Sequence, residues 1–260
     1  MFGGGWLILE PLALWRPDDL RWGFAGYLGL FGVALLLAVI TSWPRTTITR
    51  RLAVSDTKIT IGVSELLTQH GNIVIGVTDV FDTEIGDVIA PASVQGQFQA
   101  RHFPNRDELE SEIAAGLATV PYETDTAKLR GKNRRYPIGT VVVARRGDDR
   151  FFLSAYTRMS AELTAQSDIC RLTSALERCW SSIRTRGQHE AVHMPVIGSR
   201  YARTGLPRAL LIQFIVLSFI DEERKASLTN HLHVHIASRD ADDIDFVVLE
   251  NWLADLTRAI

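Results

Sequence analysis

From Trp22 to Pro44 the chain runs for 23 residues without a charged side chain, between Arg21 and Arg45. As a helix this stretch extends about 34 Å, enough for a hydrocarbon core of about 30 Å. Trp22 and Trp43 stand at its ends, where an amphipathic indole favours the membrane interface. The plainer readings are a buried core helix or a secretory h-region. Core helices are seldom so uniformly apolar, and an h-region is shorter and followed by a small-residue cleavage site. A transmembrane helix over about 22–44 is therefore expected. Arg45, Arg50, Arg51 and Lys58 follow it with few acids, whereas Arg16 and Arg21 are offset by Asp18 and Asp19. The positive-inside rule then puts the chain in the inner (cell) membrane with its C-terminal part in the cytoplasm. Residues 5–15 are apolar but short and carry Glu10 and Pro11. They read as half of a hairpin, a re-entrant piece, an interfacial segment, or the end of a longer first span. Ala25, Gly29 and Gly32 share one helical face, a small-residue stripe that lets a second copy approach closely.

The net charge of −2 over 260 residues averages two environments. Residues 1–51 hold five arginines and three acids, which leaves 23 basic and 27 acidic residues in 52–260. The expected organisation is thus an N-terminal membrane region, 1–51, and a mildly acidic globular domain, 52–260, with Thr46–Asp56 as the linker. A surface of that charge has no general attraction for nucleic acid. Two cysteines, nine apart on one predicted helix, cannot form a disulfide framework.

Within 52–260, short β-branched runs bounded by turn residues occur at Lys58–Val63, Asn72–Val77, Gly139–Ala144, Phe151–Tyr156, Ala191–Ile197 and Leu232–Ala237. Between them lie segments of helical period. Ser160–Arg184 carries Ile169, Leu172, Leu176, Cys179 and Ile183 on one stripe, and Asp243–Thr257 and Asp107–Leu117 read similarly. Ala209–Ile220 is too short to span a bilayer and reads as a buried helix with Pro207 in its first turn. The alternation implies a layered α/β domain with a mixed sheet covered by helices.

Two turns after strands could hold a phosphate, since backbone N–H groups and a helix N-terminus converge there. One runs from Met194 through Ile197 and Gly198 to Gly205, with Arg200 and Arg203 adding charge; a glycine chosen only for its turn is the plainer account. The other is Val77–Glu84 followed by Pro91–Phe98. There Asp79 and Asp82 are either caps and Asx-turn formers or acceptors for a ribose or amine. His231, His233 and His235 project from one face of a strand, but neighbours on that face stand about 7 Å apart, so no metal is expected. No nucleophile elbow, Walker loop, HExxH or paired-carboxylate signature is present.

Four blocks, Asn72–Thr83, Ala92–Gln97, Tyr136–Thr140 and Met194–Gly198, stand in an order that resembles the macro domain attached to membrane segments in Thoeris-type antiphage defence effectors, the ThsA macro-domain family. The resemblance covers about 58–257. It implies a three-layer α/β/α macro domain with a mixed sheet, preceded by a transmembrane helical region. It also implies a ligand, ADP-ribose or an ADP-ribose conjugate, and no cofactor. The ligand-binding residues implied are Thr78, Asp79, Phe81, Asp82, Thr83, Ser93, Gln95, Gly96 and Gln97 on one side, and Ile197, Gly198, Ser199, Arg200 and Tyr201 on the other. The function implied is a non-enzymatic sensor: a TIR-domain enzyme makes the nucleotide signal, the macro domain binds it, and the homo-oligomeric membrane part disrupts the bilayer. The alternative is a membrane-tethered ADP-ribosyl hydrolase in which Asp79 or Asp82 positions water. Val63 stands where many macro domains carry an adenine-contacting Asp, and Thr78 where Asn is common, so adenine recognition must use other groups.

Overall fold

A computed structural model describes residues 29, 31–38, 46–53, 55–198 and 204–259. The chain divides into two compact units, Met1–Arg45 and Thr46–Ile260. In the first, residues 31–38 are helical, and Phe31, Val33, Leu35, Leu36 and Leu37 are all exposed. Most of the expected 22–44 span and the whole of 5–15 lie outside the described residues. Among the described residues no helix is long and apolar enough to cross a membrane.

The second unit is built on a sheet of order β1-β2-β10-β9-β3-β7-β6, with β8 added on β7. The strands are β1 (Thr47–Arg51), β2 (Lys58–Val63), β3 (Asn72–Thr78), β6 (Val141–Arg146), β7 (Asp149–Met159), β8 (Ala165–Gln166), β9 (Val192–Pro195) and β10 (His231–Ile236). A separate small ribbon pairs β4 (Glu123–Thr124) with β5 (Arg134–Arg135). Strands β2, β10, β9, β3 and β7 run parallel, and β1, β6 and β8 pair antiparallel, so the expected mixed sheet is present.

Helices α3 (Ile169–Arg186), α4 (Arg208–Lys225) and α5 (Phe246–Ala259) bury one face of the sheet. Leu172, Trp180, Ile215 and Phe219 pack there against Ile59, Ile61, Val192, Val234 and Ile236. Helices α1 (Val94–His102) and α2 (Arg106–Leu117) cover the other face over β3, β7 and β6, where Phe98, Leu109 and Ile113 meet Ile73, Ile75 and Phe151. This is a three-layer α/β/α arrangement with a continuous apolar core on each face.

Three boundaries differ from expectation. Thr46–Asp56 is not a linker: Thr47–Arg51 forms the edge strand β1, with Ile48 buried and Thr49 Oγ1 3.0 Å from Thr60 Oγ1. The domain therefore starts at Thr46. Helix α3 begins at Ile169, not Ser160, because Asp168 caps it by accepting from the Arg171 amide at 2.8 Å. The turn expected over Pro91–Phe98 gives way at Val94 to a helix, Val94–His102, capped by Ser93.

Candidate functional site

Parallel strands leave their C-terminal ends on one edge of the sheet, where open α/β sheets form crevices. Here the ends of β2, β3, β7, β9 and β10 enclose a cleft of about 370 Å3. Its floor includes Thr78 at the end of β3, Tyr156 and Thr157 of β7, and Pro195–Ile197 after β9. One wall is the start of α1, with Ser93, Val94, Gln95 and Gln97. Ser64 and Glu65 after β2, and Ser238–Asp240 after β10, close the far side.

The α1 wall is positioned by its own cap. Ser93 Oγ accepts from the Gly96 amide at 3.0 Å and donates to the Ala90 carbonyl at 2.7 Å. Gly96 is required by closeness: a Cβ there would stand 2.6 Å from the Ala90 carbonyl oxygen and 2.9 Å from that of Pro91. Gln95 lines the cleft while its amide donates to the Asp82 carbonyl at 2.7 Å, and Gln97 donates to the Ala92 carbonyl at 3.0 Å. The helix thus presents its positive end to the cleft on a fixed loop.

Beyond Ile197, which lines the cleft, the chain turns at Gly198, which has φ +86, a conformation that favours glycine. Thr204 Oγ1 donates to the Gly198 carbonyl at 2.7 Å and holds the turn closed. The Gly198 amide donates to the Tyr156 phenol oxygen; burial nevertheless pushes that phenol up to about 12, so it stays neutral. Gly76 of β3 admits the Tyr156 ring, since a Cβ there would stand 2.2 Å from ring carbon Cε1. Ser199, Arg200 and Tyr201 lie outside the described residues.

The loop after β3 behaves otherwise than expected. Asp79 is buried, with its carboxylate accepting from Arg135 Nη1 at 2.7 Å and the Met159 amide at 3.0 Å. Asp82 is buried too, pairing with Lys128 Nζ at 2.9 Å and accepting from the Lys132 amide. The Lys128 ammonium is completed by the carbonyls of Arg130 and Lys132 at 2.6 and 2.7 Å. Thr83 bonds Glu110 and Arg106. Phe81 is wholly buried in the left-handed region at φ 51, edge-on to Tyr136. Asp79, Phe81, Asp82 and Thr83 therefore brace the cleft from behind and are not among its lining residues, whereas Thr78, Ser93, Gln95, Gln97 and Ile197 are.

Several cleft residues carried no local signal. Arg208, at the start of α4, lines the cleft and pairs with Asp240 at 2.9 Å and with Asp243, while its buried Nε has no hydrogen-bond partner among the described residues. Ser64, Glu65 and Asp240 become legible only once the parallel order of β2 and β10 is known.

On the face of β9 and β10 opposite α3 and α4, His193 joins the histidines of β10. His193 Nδ1 lies 2.9 Å from His235 Nε2, and the rings of His233 and His235 stack at 3.9 Å. Burial keeps these rings neutral, pulling His193 and His233 down to about 4 and His235 to about 3. One ligand nitrogen from each of the three lies within 4.8 Å of the others. The metal question, set aside on strand spacing, is thus reopened by a residue from the neighbouring strand.

The layered mixed sheet with a ligand cleft at its parallel strand ends defines a macro domain. Solved structures with this fold include the Oceanobacillus iheyensis macrodomain with ADP, at a TM-score of 0.57 and 12% identity, covering 82% of this chain and 98% of that one. A variant of the same macrodomain with ADPR matches at a TM-score of 0.55 and 11% identity, covering 80% of this chain and 99% of that one. The family description "Thoeris protein ThsA, Macro domain" matches residues 59–237, and this chain belongs to that family. It is 28% identical over 187 residues to the Thoeris protein ThsA of Bacillus amyloliquefaciens (strain Y2). The match covers 67% of this chain and spans about 60% of that relative's length.

Proposed function

We propose that this chain is a membrane-anchored receptor of antiphage defence whose macro domain senses an ADP-ribose-derived nucleotide made by a TIR-domain enzyme. The observation that carries this reading is the strand-end cleft, lined by the α1 N-terminus and by the Pro195–Ile197 segment that leads into the left-handed Gly198 turn. A diphosphate between them would meet backbone N–H groups and a positive helix end. The volume of about 370 Å3 suits a nucleotide. The unpartnered Nε of Arg208 offers a further donor. The macrodomain structures solved with ADP and ADPR, and the Thoeris relative, support the same ligand class.

The sensor role also rests on the N-terminal region. Residues 22–44 are uncharged, and Phe31, Val33, Leu35, Leu36 and Leu37 point out on several sides of a helix, as suits lipid or another copy. The cell membrane, with the macro domain in the cytoplasm, is the location this favours, and homo-oligomers form through membrane helix and macro domain. Signal binding then disrupts the bilayer by favouring one assembly state, since a ligand indifferent to two states shifts neither. A non-enzymatic role is supported by Asp79 and Asp82, whose oxygens are engaged by Arg135 and Lys128 and so are poorly available to activate water.

Calorimetric titration of the full chain with ADP-ribose, NAD and amino-acid conjugates of ADP-ribose tests the reading. Saturable one-to-one heat with at least one ADP-ribose compound is expected. No heat with any of them, or release of ADP-ribose from modified protein by the chain, would overturn it.

A further inference from the structure

His231, His233 and His235 alternate with Leu232, Val234 and Ile236, which are buried in the apolar core against α3 and α4. The imidazoles consequently share the opposite face. In the parallel register of β10 and β9, His233 stands beside His193. This supplies what spacing along a single strand denies, a third nitrogen from across the ladder. His231 is differently engaged, its Nε2 lying 2.9 Å from Thr60 Oγ1.

We propose that His193, His233 and His235 form a binding site for a late first-row divalent cation of the zinc type, with its fourth position open to the edge of the cleft. Tetrahedral zinc holds imidazole nitrogens at about 2.0–2.1 Å, which sets them about 3.3 Å from one another. The 2.9 Å between His193 Nδ1 and His235 Nε2, and the 4.8 Å that bounds the triad, bracket that separation. Side-chain adjustment without backbone movement therefore closes the site. Three nitrogen donors select zinc, copper or nickel over magnesium or calcium, which prefer oxygen.

The surroundings fit ligation. Ser64 Oγ lies 2.8 Å from His235 Nδ1, so His235 can carry its proton there and turn the Nε2 lone pair to the ion. Ser64 and His235 both line the cleft, which places the open position where water or an anionic ligand oxygen reaches it. The proposal stands on these residues and not on the nucleotide reading.

The untagged full chain, stripped with chelator, is titrated with zinc by calorimetry and with cobalt by visible absorption. One zinc per chain and the intense d–d bands of four-coordinate cobalt are expected. His193→Ala and His235→Ala should each weaken zinc by more than about 100-fold, and Ser64→Ala by about 10- to 100-fold. His231→Ala should leave affinity unchanged. His193 and His235 are buried, so melting of each metal-free variant is compared with the parent; His233→Ala, only half-buried, tests ligation if either of those unfolds. Absence of zinc heat in the parent would overturn the site. So would equal losses from His231→Ala and His233→Ala, because a surface histidine ladder would then hold the ion.

Discussion

The two sides of the cleft are built in opposite ways. Behind the α1 wall, Asp79–Thr83 is buried, ion-paired and strained at Phe81. Across the cleft, the segment after β9 has left-handed glycines at Gly198 and Gly205, and the Thr204 hydroxyl donates to the Gly198 carbonyl. Holding Phe81 in that conformation costs about 1–3 kcal/mol, and the surrounding ion pairs and apolar contacts sustain it. The contrast teaches that carboxylates beside a cleft can serve the scaffold, while the groups proposed to meet a ligand are backbone amides and a helix end. Ion pairs accordingly hold the loop behind α1, and in the proposed reading recognition falls to the α1 N-terminus and the Gly198 turn.

The largest expected effect breaks the scaffold side. Asp82→Ala leaves Lys128 Nζ buried without its anion and should cost about 3–5 kcal/mol in urea unfolding. If Asp82 instead served the ligand, stability would hold and only binding would fall. Next comes the recognition side. Gly198→Asp places a carboxylate and a strained φ where the diphosphate is proposed to lie, and should weaken an ADP-ribose ligand at least tenfold, about 1.4 kcal/mol, in calorimetry.

Ser93→Ala removes the cap of α1 and should lower stability by about 1 kcal/mol. Thermal melting reads this, and a parallel loss of ligand affinity would tie the helix end to recognition. The smallest effect is a slope. Burial alone would raise the Glu110 carboxyl, but hydrogen bonds from Lys132 and Thr83, with the charges of Lys132 and Arg106, hold it below its ordinary 4.5. As pH falls the unfolded chain takes that proton first, so the contribution of Glu110 is full above about 4.5 and fades as pH drops through the native value. Glu110→Gln should flatten the acid limb of a stability-against-pH curve in that range.

Strands and long helices were legible because their signals are local. The runs at Lys58–Val63 and Asn72–Val77 coincide with β2 and, within one residue, β3, and Leu172, Leu176, Cys179 and Ile183 of the expected stripe are on the buried face of α3, whereas Ile169 at its first position is exposed. Gly198 was legible as a turn because its demand on φ is its own. Partners distant in sequence were not. Nothing near Asp79 or Asp82 announces Arg135 or Lys128, roughly fifty positions on, so both acids read as ligand acceptors. His193 carries no signal for the same reason: its neighbours are set by the β9–β10 pairing. The strand β1 hid in a polar stretch because an edge strand needs only one buried residue here, Ile48, to be held.

The central claim is that the strand-end cleft is the nucleotide site, and amide chemical shifts read it residue by residue. On adding ADP-ribose to the isotopically labelled full chain, saturable shifts should be largest at Thr78, Gln95, Ile197 and Gly198, with the Asp125–Lys128 segment behind the scaffold loop unmoved. Shifts centred on that segment, or none at saturating ligand, would contradict the account.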